Sequence, residues 1–98
     1  MTRRLTLRPA AFADLANAQA WYEEQRPGLG REFLASIAGT LTRVEANPDA
    51  FPVYYRGFRR VLVSRFPYKV FYRLHGEAVI VFRILHAASD HRGRLHDA

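Results

Sequence analysis

The sequence predicts an α+β domain in which one strand is followed by an antiparallel helical hairpin and then by a three-stranded antiparallel meander. Three observations lead there. Apolar residues recur at helical spacing from Ala11 to Val44, branched and aromatic residues dominate from Phe58 to Leu85, and short Gly/Pro breaks separate the segments. At 98 residues the chain has room for one hydrophobic core, so a single domain over residues 1–98 is expected.

Each element has a local cause. Thr2 to Arg8 alternates Leu5 and Leu7 with Arg4, Thr6 and Arg8 and stops at Pro9, the pattern of a short strand with one wet face. From Ala10 to Gln25 the period changes: Ala11, Leu15, Ala18 and Tyr22 form a helical stripe, with Asp14, Trp21 and Gln25 beside it. Pro27-Gly28-Leu29-Gly30 breaks that helix, and Phe33, Leu34, Ile37, Leu41 and Val44 line a second one that ends before Asn47-Pro48. So short a connection makes the two helices an antiparallel hairpin. Asn47 to Gly57 reads as an irregular crossing segment packed by Phe51, Tyr54 and Tyr55. Phe58–Arg65, Tyr68–His75 and Ala78–Leu85 read as strands, joined by links short enough for hairpins. From Ala87 the tail has little apolar material and reads as a short helical turn or a frayed end.

The helices are expected to cover one face of the sheet. Alternation assigns Val61, Val63, Val70, Tyr72, Ile80, Phe82 and Ile84 to that side, leaving Arg60, Leu62, Lys69, Phe71, Arg73, Val81, Arg83 and Leu85 on the other. Cations, aromatics and aliphatics mixed on one face suit either nucleic acid or a protein partner.

Charge is distributed unevenly. Residues 1–55 carry six basic and six acidic groups, whereas residues 56–98 carry nine basic groups against Glu77, Asp90 and Asp97, which accounts for the whole net +6. Arginine supplies every cation except Lys69, which favours bidentate contact with phosphate or carboxylate. A polyanion or an acidic protein would relieve the repulsion among Arg60, Lys69, Arg73 and Arg83; a solvated basic surface is the plain alternative.

Several chemistries are excluded. Without cysteine there are no disulfides, thiolate metal sites or thiol nucleophiles. No dinucleotide-binding, P-loop or zincin motif occurs, and Ser36, Ser64 and Ser89 sit in no nucleophile-elbow pattern. His75, His86, His91 and His96 lack metal-pair spacing, so neither a metal nor a cofactor is expected. His86, at the end of the last strand, reads either as a general base toward a ribose hydroxyl or as a polar strand end. Tyr68 and Tyr72 read as core residues with a wet hydroxyl, and Trp21-Tyr22 as core or interface. No apolar run would span a bilayer and no export signal is evident, so a cytoplasmic chain without a membrane role is expected.

Five motifs in order then carry a resemblance: AxxDLxxAxxWYE (Ala11 to Glu23), PGLGxxF (Pro27 to Phe33), NPxxFP (Asn47 to Pro52), RRVLVxRFPYKVFYR (Arg59 to Arg73) and VFRILHAASD (Val81 to Asp90). Over nearly its whole length the chain resembles the RelE/ParE superfamily of type II toxin-antitoxin toxins, also described as plasmid-stabilisation proteins. The resemblance implies the fold reached above and a bacterial growth-inhibiting toxin held in a hetero-oligomer by an antitoxin. It implies a target- or antitoxin-binding face made of Arg59, Arg60, Leu62, Lys69, Phe71, Arg73, Arg83 and Leu85. RelE-like members cut ribosome-bound mRNA, whereas ParE-like members poison DNA gyrase. Arg60 and Lys69 match basic positions of the RelE-like site, and Arg83 and His86 would complete a nuclease. A further lysine of that site falls on Leu62, its late arginine near Ser89 and its C-terminal tyrosine near Leu95. The ending RILHAASDHRGRL is closer to the ParE-like pattern. The resemblance thus implies first a non-enzymatic gyrase-directed toxin, second a ribosome-dependent endoribonuclease, and third a non-toxic antitoxin-binding member.

Overall fold

The first strand, β1 (Arg4–Leu7), lies parallel to the last, β5 (Ala78–His86), with Leu5 opposite Val79 and Leu7 opposite Val81. The computed structural model describes residues 4–96, so Thr2 and Arg3 of the expected strand lie outside the described residues. Between these two strands come α1 (Pro9–Gln25), α2 (Leu29–Ala46), a single 3₁₀ turn (Pro48–Ala50), β2 (Val53–Tyr55), β3 (Phe58–Leu62) and β4 (Tyr68–His75). A short α3 (His91–His96) follows β5. The sheet order is β1-β5-β4-β3-β2, and every pairing except β1 with β5 is antiparallel. The fold is the expected α+β arrangement, with the first strand at one edge and an added strand, β2, at the other.

Pro9 opens α1, where the missing N–H costs nothing, and the extended Arg8 before it donates its own N–H to the Val81 carbonyl at 2.9 Å. At the other end Gly28 adopts φ +89°, a left-handed conformation that glycine reaches without a Cβ clash, and α2 begins at once. The Glu23 carboxylate accepts the N–H groups of Gly28 and Gly30 at 2.9 and 3.0 Å, binding two orphan donors at the start of α2. A Cβ on Gly30 would meet the Gln19 carbonyl at 3.0 Å, so the close approach of the two helices requires glycine there.

Those two N–H bonds hold the Glu23 carboxyl below the usual carboxylate range. Its contribution to stability is complete above the ordinary value of 4.5 and is lost as pH falls through the depressed folded value. Glu23→Ala is therefore expected to lower Tm by a few degrees at neutral pH. Thermal scans of variant and wild type from about pH 7 down to about pH 3 should converge at the acid end.

The core lies between the hairpin and the sheet. Phe33, Ile37 and Val44 of α2 and Ala11 and Ala18 of α1 pack on Val61, Val70, Tyr72, Val79, Val81 and Ile84, with Val63 and Phe66 from the β3–β4 link. Tyr72 is fully buried, its hydroxyl donates to the Pro48 carbonyl, and burial pushes its pKa up to about 12.

The structure corrects three expectations. First, Val53–Tyr55 forms an edge strand rather than an irregular crossing; Arg56 at φ +50° and Gly57 at φ +79° make the two-residue turn that pairs Tyr55 with Phe58. Second, Ile80 and Phe82 face away from the helices and Val81 faces them. Phe71 opposes Arg83 while Tyr72 opposes Val81, so β5 has one residue more than β4 at Phe82, and this bulge reverses the alternation along the strand. Third, the sheet face away from the hairpin is partly covered. Phe58, Phe71, Phe82 and Leu85 form a second small core with Leu95 of α3, beside Tyr54, Tyr55 and Ile80. The His91 ring, buried, sits 4.9 Å from that of Phe71, and its Nε2 lies 2.9 Å from the His86 carbonyl oxygen.

Candidate functional site

On the face opposite the hairpin, rings and guanidiniums alternate from one sheet edge to the other. Arg8 lies over Phe82 at 4.9 Å, and Arg73 lies over Phe82 at 5.5 Å and over Phe58 at 3.9 Å. Arg56 and Arg92 each lie 5.5 Å from the Tyr55 ring. Arg92 and Arg60 lie over Tyr54 at 5.6 and 3.9 Å. Arg73 also donates to the Arg56 carbonyl at 2.7 Å, which joins the two halves of the row. Rings beneath guanidiniums lower the cost of crowding cations and restrict their rotamers.

Arg60, Lys69 and Arg73 share this face as expected: Arg60 opposes Phe71, Leu62 opposes Lys69, and Arg73 opposes Ile80. Leu62 is exposed, Lys69 half-buried, and Phe71 and Leu85 are buried beneath α3. Arg59 is turned to the other side. It opposes Tyr72, donates to the Phe51 carbonyl at 2.6 Å and pairs with Asp49 at 3.8 Å, so it braces the segment entering β2.

Arg83 and His86 do not join Arg60 and Lys69. β1 ends opposite Val81, so the edge of β5 beyond it is open to α1, and Arg83 reaches Asp14 there. Its Nε and terminal nitrogen donate to the two Asp14 oxygens at 2.7 and 2.8 Å, and the same carboxylate accepts the Ile84 N–H at 2.9 Å. The two side chains are only 17% and 13% exposed. The Asp14 hydrogen bonds raise the Arg83 pKa further, favouring the charged guanidinium. His86 opposes Tyr68 on the hairpin side, its ring 5.3 Å from that of Tyr68, and its Nδ1 accepts the Ala88 N–H at 3.0 Å.

His86 instead borders a groove of about 560 Å³ between α1, Pro67-Tyr68, the end of β5 and α3. Trp21, Tyr22 and Tyr68 supply its rings, and Asp14 and Arg94 also line it. Trp21 is 55% exposed, so the groove presents a large ring to solvent. Burial raises the Tyr22 and Tyr68 hydroxyl pKa values. Among the described residues no group of three or more His, Asp or Glu is placed to hold a metal ion, and no helix is long and apolar enough to cross a membrane.

Sequence reading missed Arg8, Arg56 and Arg92 as members of the row. The signal was present in their spacing, since Arg56 directly follows Tyr54-Tyr55 and Arg8 ends the strand beside β5. For Arg92 no sequence signal existed, because its place depends on the docking of α3.

The chain is similar to known proteins. Toxin ParE2 of Mycobacterium tuberculosis strain H37Rv is 28% identical over 91 residues, covering 92% of this chain and 87% of that toxin. A chain from the chromosomal ParDE toxin-antitoxin system of P. aeruginosa superposes with TM-score 0.76 at 22% identity, over 87% of this chain and 96% of that one. A chain from the RelBE2 toxin-antitoxin complex of Mycobacterium tuberculosis does so with TM-score 0.58 at 18% identity, over 88% and 99%. The family model described as the ParE toxin of type II toxin-antitoxin system, parDE, matches residues 5–91. With that model spanning nearly the whole chain, and with the fold it shares, the protein belongs to the ParE toxin family of type II toxin-antitoxin systems.

Proposed function

We propose that this toxin stops growth by inhibiting DNA gyrase through protein docking and not by cutting mRNA. The observation that carries the reading is the dispersal of the nuclease set. Arg60 and Lys69 lie on one side of the sheet, while Arg83 is bound to Asp14 and His86 faces the hairpin side. Leu95, at the position matched to a C-terminal tyrosine, is buried against Phe71 and Leu85 and offers no acid or base. Phosphoryl transfer relies on cations and proton-transfer groups converging on one phosphate, and these residues do not converge. The match to the ParE toxin family model and the likeness to ParE2 support the same reading.

Neutralisation is proposed to come from a cognate antitoxin, whose segment would bury the Trp21 ring and the groove it lines in a hetero-oligomer. Location in the cytoplasm, where gyrase works, goes with this reading. The test is a supercoiling assay with purified gyrase and relaxed plasmid. A stoichiometric excess of toxin should block supercoiling or leave cleaved DNA, and pre-incubation with the antitoxin should restore activity. Unchanged supercoiling at high excess, together with cleavage of ribosome-bound mRNA, would reverse the assignment in favour of the endoribonuclease.

A further inference from the structure

We propose that the ring-and-guanidinium face is itself a binding site for the backbone of duplex DNA, so that this toxin contacts DNA directly. The inference goes beyond the gyrase reading and does not depend on it. Arg8, Arg56, Arg60, Arg73 and Arg92 form one row over Phe82, Phe58, Tyr55 and Tyr54, and among the described residues none of the five is paired with a carboxylate. The acidic side chains of the described residues that do pair with arginine serve other cations: Asp14 serves Arg83, Asp49 serves Arg59, and Glu32 serves Arg26 and Arg65. Five like charges gathered without counter-charge repel one another, and a polyanion relieves that cost.

The row crosses a five-stranded sheet, a width of roughly 19 Å at the usual strand spacing, which is about the breadth of a DNA duplex. Stacking of unpaired bases is poorly served here. Phe58 is fully buried, Phe82 is 8% exposed, and the rings of Tyr54 and Tyr55 already lie under guanidiniums. What remains outward is the hydrogen-bonding edge of each guanidinium, suited to phosphate oxygens. A second observation concerns Arg56, which alone in the row has a positive φ, as Arg65 has outside the row, where its charge pairs with Glu32. Arg56 sits at φ +50°, in the left-handed region where an L side chain is strained and where glycine or asparagine fits a two-residue turn. An arginine kept there at a conformational cost marks a position where its charge is used.

The test is fluorescence anisotropy of the purified toxin against a labelled 20-base-pair duplex of arbitrary sequence, over a salt series. With five phosphates contacted, the slope of log affinity against log salt should be about −4.5, so affinity should fall roughly 500-fold between 50 and 200 mM salt. Arg56→Asn, which suits the turn and keeps the fold, should make the slope shallower by about one, and so should Arg60→Ala. Arg31→Ala on the exposed side of α2 should leave it unchanged. Absence of binding at 50 mM salt, a slope shallower than about −2, or no change in Arg56→Asn would overturn the proposal. Tighter binding to the single strand would overturn the duplex assignment, and displacement by poly-glutamate at equal charge concentration would reassign the face to an acidic protein. Loss of DNA binding with gyrase inhibition intact would remove this proposal alone. DNA binding without gyrase inhibition would remove only the functional reading.

Discussion

Asp14→Ala is expected to cost about 3 kcal/mol of folding stability, because it leaves a largely buried guanidinium without its partner. The carboxylate does two jobs: it holds Arg83 by two hydrogen bonds and accepts the Ile84 N–H at the edge of β5 that β1 no longer covers. Removing it strands a charge and an edge donor together. Urea or thermal unfolding should show a Tm at least roughly 12 °C below wild type. The double substitution Asp14→Ala with Arg83→Met should recover a good part of the loss, since replacing both members of a buried pair costs less than removing one. A single-substitution loss below about 0.5 kcal/mol would mean that water substitutes for the carboxylate, as at an exposed pair.

The second large effect concerns α3. Leu95→Ala should cost about 2 to 4 kcal/mol, because Leu95 is 1% exposed and fills the small core over Phe71 and Leu85. Six residues form α3, too few for a helix to be stable without packing, so removing its buried anchor should release it. Hydrogen exchange would show loss of protection in α3 while α2 and β4 remain protected, and the row should lose Arg92 from its place over Tyr54 and Tyr55. Protection unchanged in α3 would mean that His91, through its ring contact and its bond to the His86 carbonyl, holds the helix alone.

The parts of this fold that could be read from sequence are those set by local pattern. The hairpin was legible because Ala11, Ala18, Phe33, Ile37 and Val44 repeat at helical spacing, and all five are buried. β4 was legible to its ends, Tyr68 and His75. The parallel pairing of β1 with β5 joins residues more than 70 positions apart, and no periodicity carries that information. β2 escaped notice because three residues between Pro52 and a tight turn give too little alternation to read.

The site divides along the same line. Arg60, Lys69 and Arg73 were correctly grouped, because β3 and β4 keep strict alternation. Arg83 was grouped with them by counting along β5, and its register opposite Phe71 agrees with that, but at the open β5 edge its guanidinium reaches Asp14 of α1 instead. An acidic residue on the stripe beside the apolar face of α1 was the available signal that some cation had to meet it; Asp14 was seen there, but its partner was 69 residues away.

The most direct test of the central claim is induced expression in a bacterial host lacking the antitoxin, followed by pulse labelling of DNA and protein synthesis. Early arrest of DNA synthesis with filamentation, while translation continues, is the predicted result. Early arrest of translation with DNA synthesis sustained would contradict it, and would make Arg60 and Lys69 candidates for contact with mRNA.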